Sequence, residues 1–267
     1  MVNAPSPIRI TTDPAHGGRW TSLWAAGREW LWHREEPRRP HVVPGDAFAD
    51  AGGLEECVPT VRGTPDHGHA WARAWRRDGD TESVTCPDFR LSRRIRHQDR
   101  RAVADYRLTA RPGYRFLWAG HALLDLSEHA HLGMPDGTHT RVYPDGGSRW
   151  TPCAWPWWPA ESAALDRLGP DDGTAVGLIA DTSQVDVHEG TAVLRLSVEA
   201  EGQPVSVAVW RNLRGFPDDD PYRSIGVEPM LGRVFDLAAA GEDDAACVPA
   251  GGEVRWRLSV SAGTEGT

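Results

Sequence analysis

Lysine is absent. The 29 fixed side-chain cations of this 267-residue chain are all arginines, set against 38 carboxylates for a formal charge of −9. Nucleic-acid binding needs a clustered basic surface to follow phosphates, so nucleic acid is not expected as a partner. Arg93-Arg94 and Arg100-Arg101 alternate with apolar residues and read as the wet faces of strands. Long apolar runs are missing too. Nothing approaches the ~20 residues of a membrane span, so no membrane partner is expected. The opening MVNAPSPIRI lacks a basic segment leading into an apolar one, so a secretion signal is not expected. Four scattered cysteines, Cys57, Cys86, Cys153 and Cys247, form no C-x-x-C pair. They read neither as a zinc site nor as a disulfide framework, and reduced thiols in a cytoplasm are the expectation. Helical patterning is equally scarce. No stripe of the i, i+3, i+4, i+7 kind persists beyond about two turns. Ala160 to Leu168, ahead of Gly169-Pro170, is the one stretch that predicts a short helix.

The chain instead has a period of two. Ala104, Tyr106 and Leu108 alternate with Asp105, Arg107 and Thr109. Ala192 to Glu199 and Val254 to Val260 follow the same rule, each predicting a strand with one buried face. Glycine-rich turn signals such as Gly52-Gly53, Pro135-Asp136-Gly137 and Gly251-Gly252 interrupt the chain at short intervals. Many short strands so punctuated predict an all-β fold, a large antiparallel β-sandwich with few short helices. No linker or repeat divides residues 1–267, which predicts a single domain. Trp20–Trp24 and Glu29–Trp32 flank Ala25-Ala26-Gly27-Arg28 and predict a hairpin. Residues 33–50 and 133–160, the latter with four of the thirteen tryptophans, read as long irregular loops of the kind that often bind ligands.

The densest polar chemistry lies in Pro65-Asp66-His67-Gly68-His69-Ala70-Trp71-Ala72-Arg73-Ala74-Trp75. Gly68 leaves backbone room beside His67, Arg73 carries a forked cation suited to oxygen-rich ligands, and the tryptophans supply flat apolar walls. Donors, acceptors and a platform for C–H bonds are the parts of a sugar site. The plainer alternative is a polar turn leading into a strand.

Several segments, in order, resemble the galactose mutarotase-like proteins, the aldose 1-epimerase superfamily. Gly17-Gly18-Arg19-Trp20-Thr21-Ser22-Leu23 followed by Arg28-Glu29-Trp30-Leu31 resembles that family's opening hairpin. Gly52 to Thr60 followed by Asp66-His67-Gly68 resembles the segment leading to its first catalytic histidine. Trp118-Ala119-Gly120-His121-Ala122-Leu123-Leu124-Asp125-Leu126-Ser127 resembles the strand of the second histidine, with Leu123-Leu124 in place of an aromatic pair. Gly226-Val227-Glu228-Pro229 resembles the segment that presents the catalytic glutamate.

The resemblance implies a galactose mutarotase-like supersandwich and interconversion of the α and β anomers of a free aldose, with no cofactor and no metal. Glu228 would be the base at the anomeric hydroxyl, His121 the acid at the ring oxygen, and His67 a hydrogen-bonding partner near the ring oxygen or the anomeric centre. Arg73 or Arg62 would anchor a hydroxyl, Asp66 would add a polar contact, and Trp71 and Trp118 would face the sugar. Asp125, Asp145 and Asp218 compete as the family's sugar-holding aspartate. A monomer or homodimer is expected. Pro229 independently restricts Glu228 to extended backbone.

Three other readings stand beside this one. His67-x-His69 and His129-x-His131 would put imidazole pairs on one face of a strand, as in a cupin-type metal site, although Arg73 would repel a cation. The fold could bind carbohydrate without turning it over. It could also serve another carbohydrate-active enzyme, such as a lyase, hydrolase or epimerase, with Glu55, Glu56 or Asp66 as a second carboxylate.

Overall fold

The period-two segments all become strands, and two antiparallel sheets contain nearly all of them. The computed structural model describes residues 8–264 apart from 99, 145 and 147. A twelve-stranded sheet runs, in spatial order, Arg9–Asp13, Arg19–Ala25, Leu54–Cys57, Trp118–Leu124, Arg223–Leu231, Val205–Leu213, Thr174–Ala180, His139–Pro144, Thr151–Ala154, Trp157–Trp158 and Ala163–Ala164, with Arg28–Glu29 paired beside Arg19–Ala25. An eight-stranded sheet runs His131–Gly133, Gln184–Glu189, Ala192–Glu199, Glu253–Thr264, Arg101–Ala110, Phe89–Gln98, Thr81–Thr85 and Arg76–Asp78. The all-β antiparallel sandwich anticipated above is the observed architecture.

The opening hairpin turns through Ala26 and Gly27, at φ +49° and +81°. Two positive-φ residues match the twist of the flanking strands. The returning strand is shorter than Glu29–Trp32: it covers Arg28–Glu29, and Leu31 then makes an isolated bridge to Leu124. Two other expectations are corrected. Ala160–Leu168 is not a helix, because Ala163–Ala164 pairs with Trp157–Trp158 after a turn in which Ser162 adopts φ +50°. The 133–160 stretch is not wholly irregular, since it holds the His139–Pro144 and Thr151–Ala154 strands. Among the described residues the helical segments are three-residue 3-10 turns, at Arg39–His41, Leu237–Ala239 and Glu242–Asp244, and no helix is long and apolar enough to cross a membrane.

The core lies between the sheets. Tyr106 and Trp256 stack at 5.1 Å, and Trp118 packs on Trp256 at 5.3 Å. A polar knot crosses this layer. Buried Glu56 accepts from Trp118 Nε1 at 2.7 Å, Tyr106 OH at 2.7 Å and Arg93 Nη1 at 2.5 Å, and Arg93 Nε donates to Glu82 at 3.0 Å. The large sheet also has a second covered face. Trp118, Ala122, Leu124, Val207, Val209, Ile225 and Val227 belong to the main core. Their alternates Ala119, Ala208 and Met230 belong to a separate apolar cluster with Cys57, Ile179, Tyr143 and Phe235. His121, Trp210 and Glu228 fall on that second face by the same alternation.

Candidate functional site

Four neighbouring strands of the large sheet set the floor of the site. On Leu54–Cys57, Glu55 is registered against His121 of Trp118–Leu124. The register from Ala119–Met230 to Leu123–Gly226 then places His121 across from Glu228, and Glu228 is registered against Ala208 on the next strand. Acid, imidazole, acid and methyl thus lie in a row, the small Ala208 leaving space beside the carboxylate. Gly226 also makes room: a Cβ there would come within 2.9 Å of Glu228 Oε1 and 3.1 Å of the Trp210 Cβ.

His67 arrives from a loop. Its backbone takes φ +55°, and Gly68 follows at +81°. A side chain at Gly68 would run into the Val58 carbonyl at 2.1 Å, so the turn can press against that strand end only as glycine. The turn delivers His67 with its ring 5.3 Å from that of His121. Asp66 Oδ1 lies 2.8 Å from His67 Nδ1, and Asp66 Oδ2 accepts from the Phe48 amide at 3.0 Å. With Nδ1 so occupied, Nε2 is the His67 nitrogen left for a ligand. Phe48 stacks on the His67 ring at 3.7 Å.

These groups share a cleft of about 550 Å³, in the range of small-molecule sites. Its polar lining is Asp50, Arg62, Asp66, His67, Ser148, His121 and Glu228; its walls include Phe48, Leu123, Trp210, Phe216 and Phe235. His121 Nδ1 stands 3.0 Å from Glu228 Oε1, too far out of line for a straight hydrogen bond. Glu228 Oε2 is buried and has no hydrogen-bond partner among the described residues. Unpaired polar atoms in a buried position are costly and call for a ligand or a role.

The electrostatics separate the two imidazoles. Burial pulls the pKa of His121 down, but the charge of Glu228 beside it prevails and pushes it up to about 9. For His67, burial and the nearby His121 outweigh the hydrogen bond to Asp66 and hold its pKa below the usual imidazole value. One ring is a cation at neutral pH and its neighbour a neutral donor–acceptor.

Of the sequence candidates, His67, His121, Glu228, Arg62 and Asp66 line the cleft. Arg62 is half-buried, with its cation 5.7 Å from the Phe235 ring centroid. Trp71 does not line it; it supports the wall from behind, edge-on to Phe48 at 5.0 Å, with its indole donating to the Asp66 carbonyl at 3.0 Å. Trp118 faces the opposite way, into the core, because it is an odd number of residues from His121 on one strand. Arg73 lines a different depression, since the chain has reversed at His67-Gly68 before reaching it. Glu56 is committed to the core knot, and Glu55 to Arg39, whose Nε and Nη2 reach it at 2.9 and 3.0 Å. Asp125 and Asp218 are exposed and outside the cleft lining, and Asp145 lies outside the described residues. A further carboxylate in the cleft, beside Asp66 and Glu228, is Asp50, which sequence reasoning missed; it accepts from Tyr222 OH at 2.5 Å.

The cupin-type alternative assumed strand geometry at His67-x-His69. The turn there sends only His67 to the cleft, and His129 lies ahead of the His131–Gly133 strand, widely exposed. Among the described residues no three metal-ligating side chains are grouped to hold an ion.

No family model matches the sequence, and no curated protein matches it. Solved structures do match the fold. The Slr1438 protein of Synechocystis sp. PCC 6803 superposes with a TM-score of 0.70 at 14% identity, over 99% of each chain. A proposed aldose 1-epimerase from Escherichia coli K12 gives 0.69 at 14% identity, over 97% of this chain and 96% of that one. A galactose mutarotase-like protein from Clostridium acetobutylicum gives 0.60 at 9% identity, over 97% and 94%. The chain has the galactose mutarotase-like fold.

Proposed function

We propose that this chain is an aldose 1-epimerase-like enzyme, interconverting the α and β anomers of a free sugar seated in the cleft. Glu228 takes the proton of the anomeric hydroxyl on its unpartnered Oε2. As the C1–O bond of the ring breaks, His121 gives its proton to the ring oxygen. Rotation about C1–C2 and the reverse transfers close the other anomer. The acid–base pair begins as carboxylate and imidazolium and ends as carboxylic acid and imidazole, so it is neutral overall before and after ring opening. That matters where charge is poorly solvated. His67, neutral and held by Asp66, hydrogen-bonds near the ring oxygen, and Arg62 anchors a hydroxyl.

The observation that carries this reading is the His121–Glu228 pair, opposite in charge, with one carboxylate oxygen unpartnered at a cleft. The fold neighbours named as epimerases and mutarotases support the same class. The test is polarimetry on a panel of pure α-anomers. Glu228→Gln should slow interconversion by about 10²–10⁴-fold, the usual contribution of one positioned acid or base, while equilibrium dialysis still detects sugar. Unchanged turnover in this variant would overturn the role. A second reading, sugar binding without chemistry, draws on the aromatic walls Phe48, Trp210, Phe216 and Phe235; it requires a wild-type protein that binds sugar and leaves optical rotation at its uncatalysed rate.

A further inference from the structure

Trp71 separates the cleft from a second depression, of about 480 Å³. One side of its ring system meets Phe48, which lines the cleft, and Trp71 itself lines the second space. The rest of the lining comes from Ala15–Gly17, from Arg39, Pro40 and Val42–Pro44 on one strap, from the 72–74 loop and from Thr85. Among the described residues its charged or chargeable side chains are Arg39, Arg73 and His16, with no carboxylate in the lining, although the whole chain carries −9.

The arginines there are incompletely used. Arg39 is only 4% exposed. Its Nε and Nη2 hold Glu55, and Nη2 also donates to the His16 carbonyl at 3.0 Å and the Trp71 carbonyl at 3.2 Å. Its remaining nitrogen, Nη1, is buried with no partner among the described residues, and so is Arg73 Nε. Arg19 Nε also lies 3.9 Å from Glu55, so two guanidiniums share one carboxylate and the buried group is net positive. Burial pushes the Glu55 carboxyl up to about 7 despite both arginines, which adds to that excess. His16 is paired with Asp13 at 2.8 Å.

Guanidinium forks match phosphate oxygens in number and spacing. The space is larger than one phosphate needs, and Pro40, Val42, Val43 and Pro44 give it an apolar side. We propose that this second depression is a binding site for a phosphomonoester, its phosphate held between Arg39 and Arg73 and its carbon skeleton against the 40–44 strap. The site is independent of the chemistry assigned to the cleft.

Isothermal titration at fixed ionic strength, with chloride as the balancing anion, tests it. Inorganic phosphate, glycerol phosphate and acetate are the probes, against wild type, Arg73→Gln and Arg62→Gln. Wild type should bind glycerol phosphate and phosphate saturably and acetate more weakly. Arg73→Gln should weaken phosphate binding about tenfold or more, the loss expected for a hydrogen bond to a charged group. Arg62→Gln should bind as wild type does. If Arg73→Gln fails to fold, Arg73→Lys, which keeps the charge and loses the fork, should still weaken binding. No saturable binding, binding indifferent to Arg73, loss in Arg62→Gln instead, or acetate bound as tightly as phosphate would each overturn the assignment.

Discussion

Two imidazoles 5.3 Å apart are driven to opposite protonation states by the groups beside them. Burial alone would depress both; Glu228 reverses that for His121, raising its pKa to about 9. A histidine raised above its unfolded value of ~6.5 contributes stability that is complete below that pH and is lost as pH rises through the folded value. The stability advantage of wild type over Glu228→Gln, measured by denaturant melts, should therefore shrink between about pH 6.5 and 9. An NMR titration should find the His121 ring protonated past pH 8 in wild type and neutral by pH 7 in the variant; a wild-type midpoint near 6.5 would contradict the pairing. At this scale the sequence was partly legible. His121 and Glu228 stood out through the resemblance of their segments. Arg62 and Arg73 could not be ranked, because their sorting depends on the left-handed turn at His67-Gly68, which shows in a sequence only as one glycine.

The strand Trp118–Leu124 is buried at every position. Its tryptophan and its histidine nevertheless serve different faces. Trp118→Phe removes the indole N–H that reaches Glu56 Oε2 at 2.7 Å and leaves that buried oxygen short of a donor. The expected cost is about 1–3 kcal/mol, read in a denaturant melt, with KM for the sugar unchanged; a raised KM with full stability would place the ring in the cleft instead. The alternating strands were readable from their period. The failed helix over Ala160–Leu168 shows the limit: alanine and leucine there favoured a helix locally, but pairing with Trp157–Trp158 prevailed. Phe48 and Asp50 gave no signal as individual residues, although the 33–50 loop that carries them read as a binding loop. They sit in a loop whose position is set by contacts with Asp66 and Tyr222, 18 and 172 residues away along the chain.

The two sheets are tied by charge as well as by apolar packing. Arg93, from the eight-stranded sheet, is fully buried between Glu82 of its own sheet and Glu56 of the other. Arg93→Met would leave Glu56 buried without a cation and Glu82 with Arg77 alone, and a loss of about 3–5 kcal/mol is expected in denaturant unfolding. Retained stability would mean that the knot is dispensable. The sandwich itself was foreseeable from many short alternating strands. The pairing order was not, because the central strands of the large sheet, Leu54–Cys57, Trp118–Leu124 and Arg223–Leu231, are neighbours in space from distant parts of the chain. The double-sided character of that sheet has a consequence for how such proteins can diverge. A one-residue slip in the register of Trp118–Leu124 would swing the tryptophan outward and the histidine inward together, unmaking core and cleft in a single event. Exchanged side chains and longer loops leave that register intact, so they are the changes this architecture can absorb.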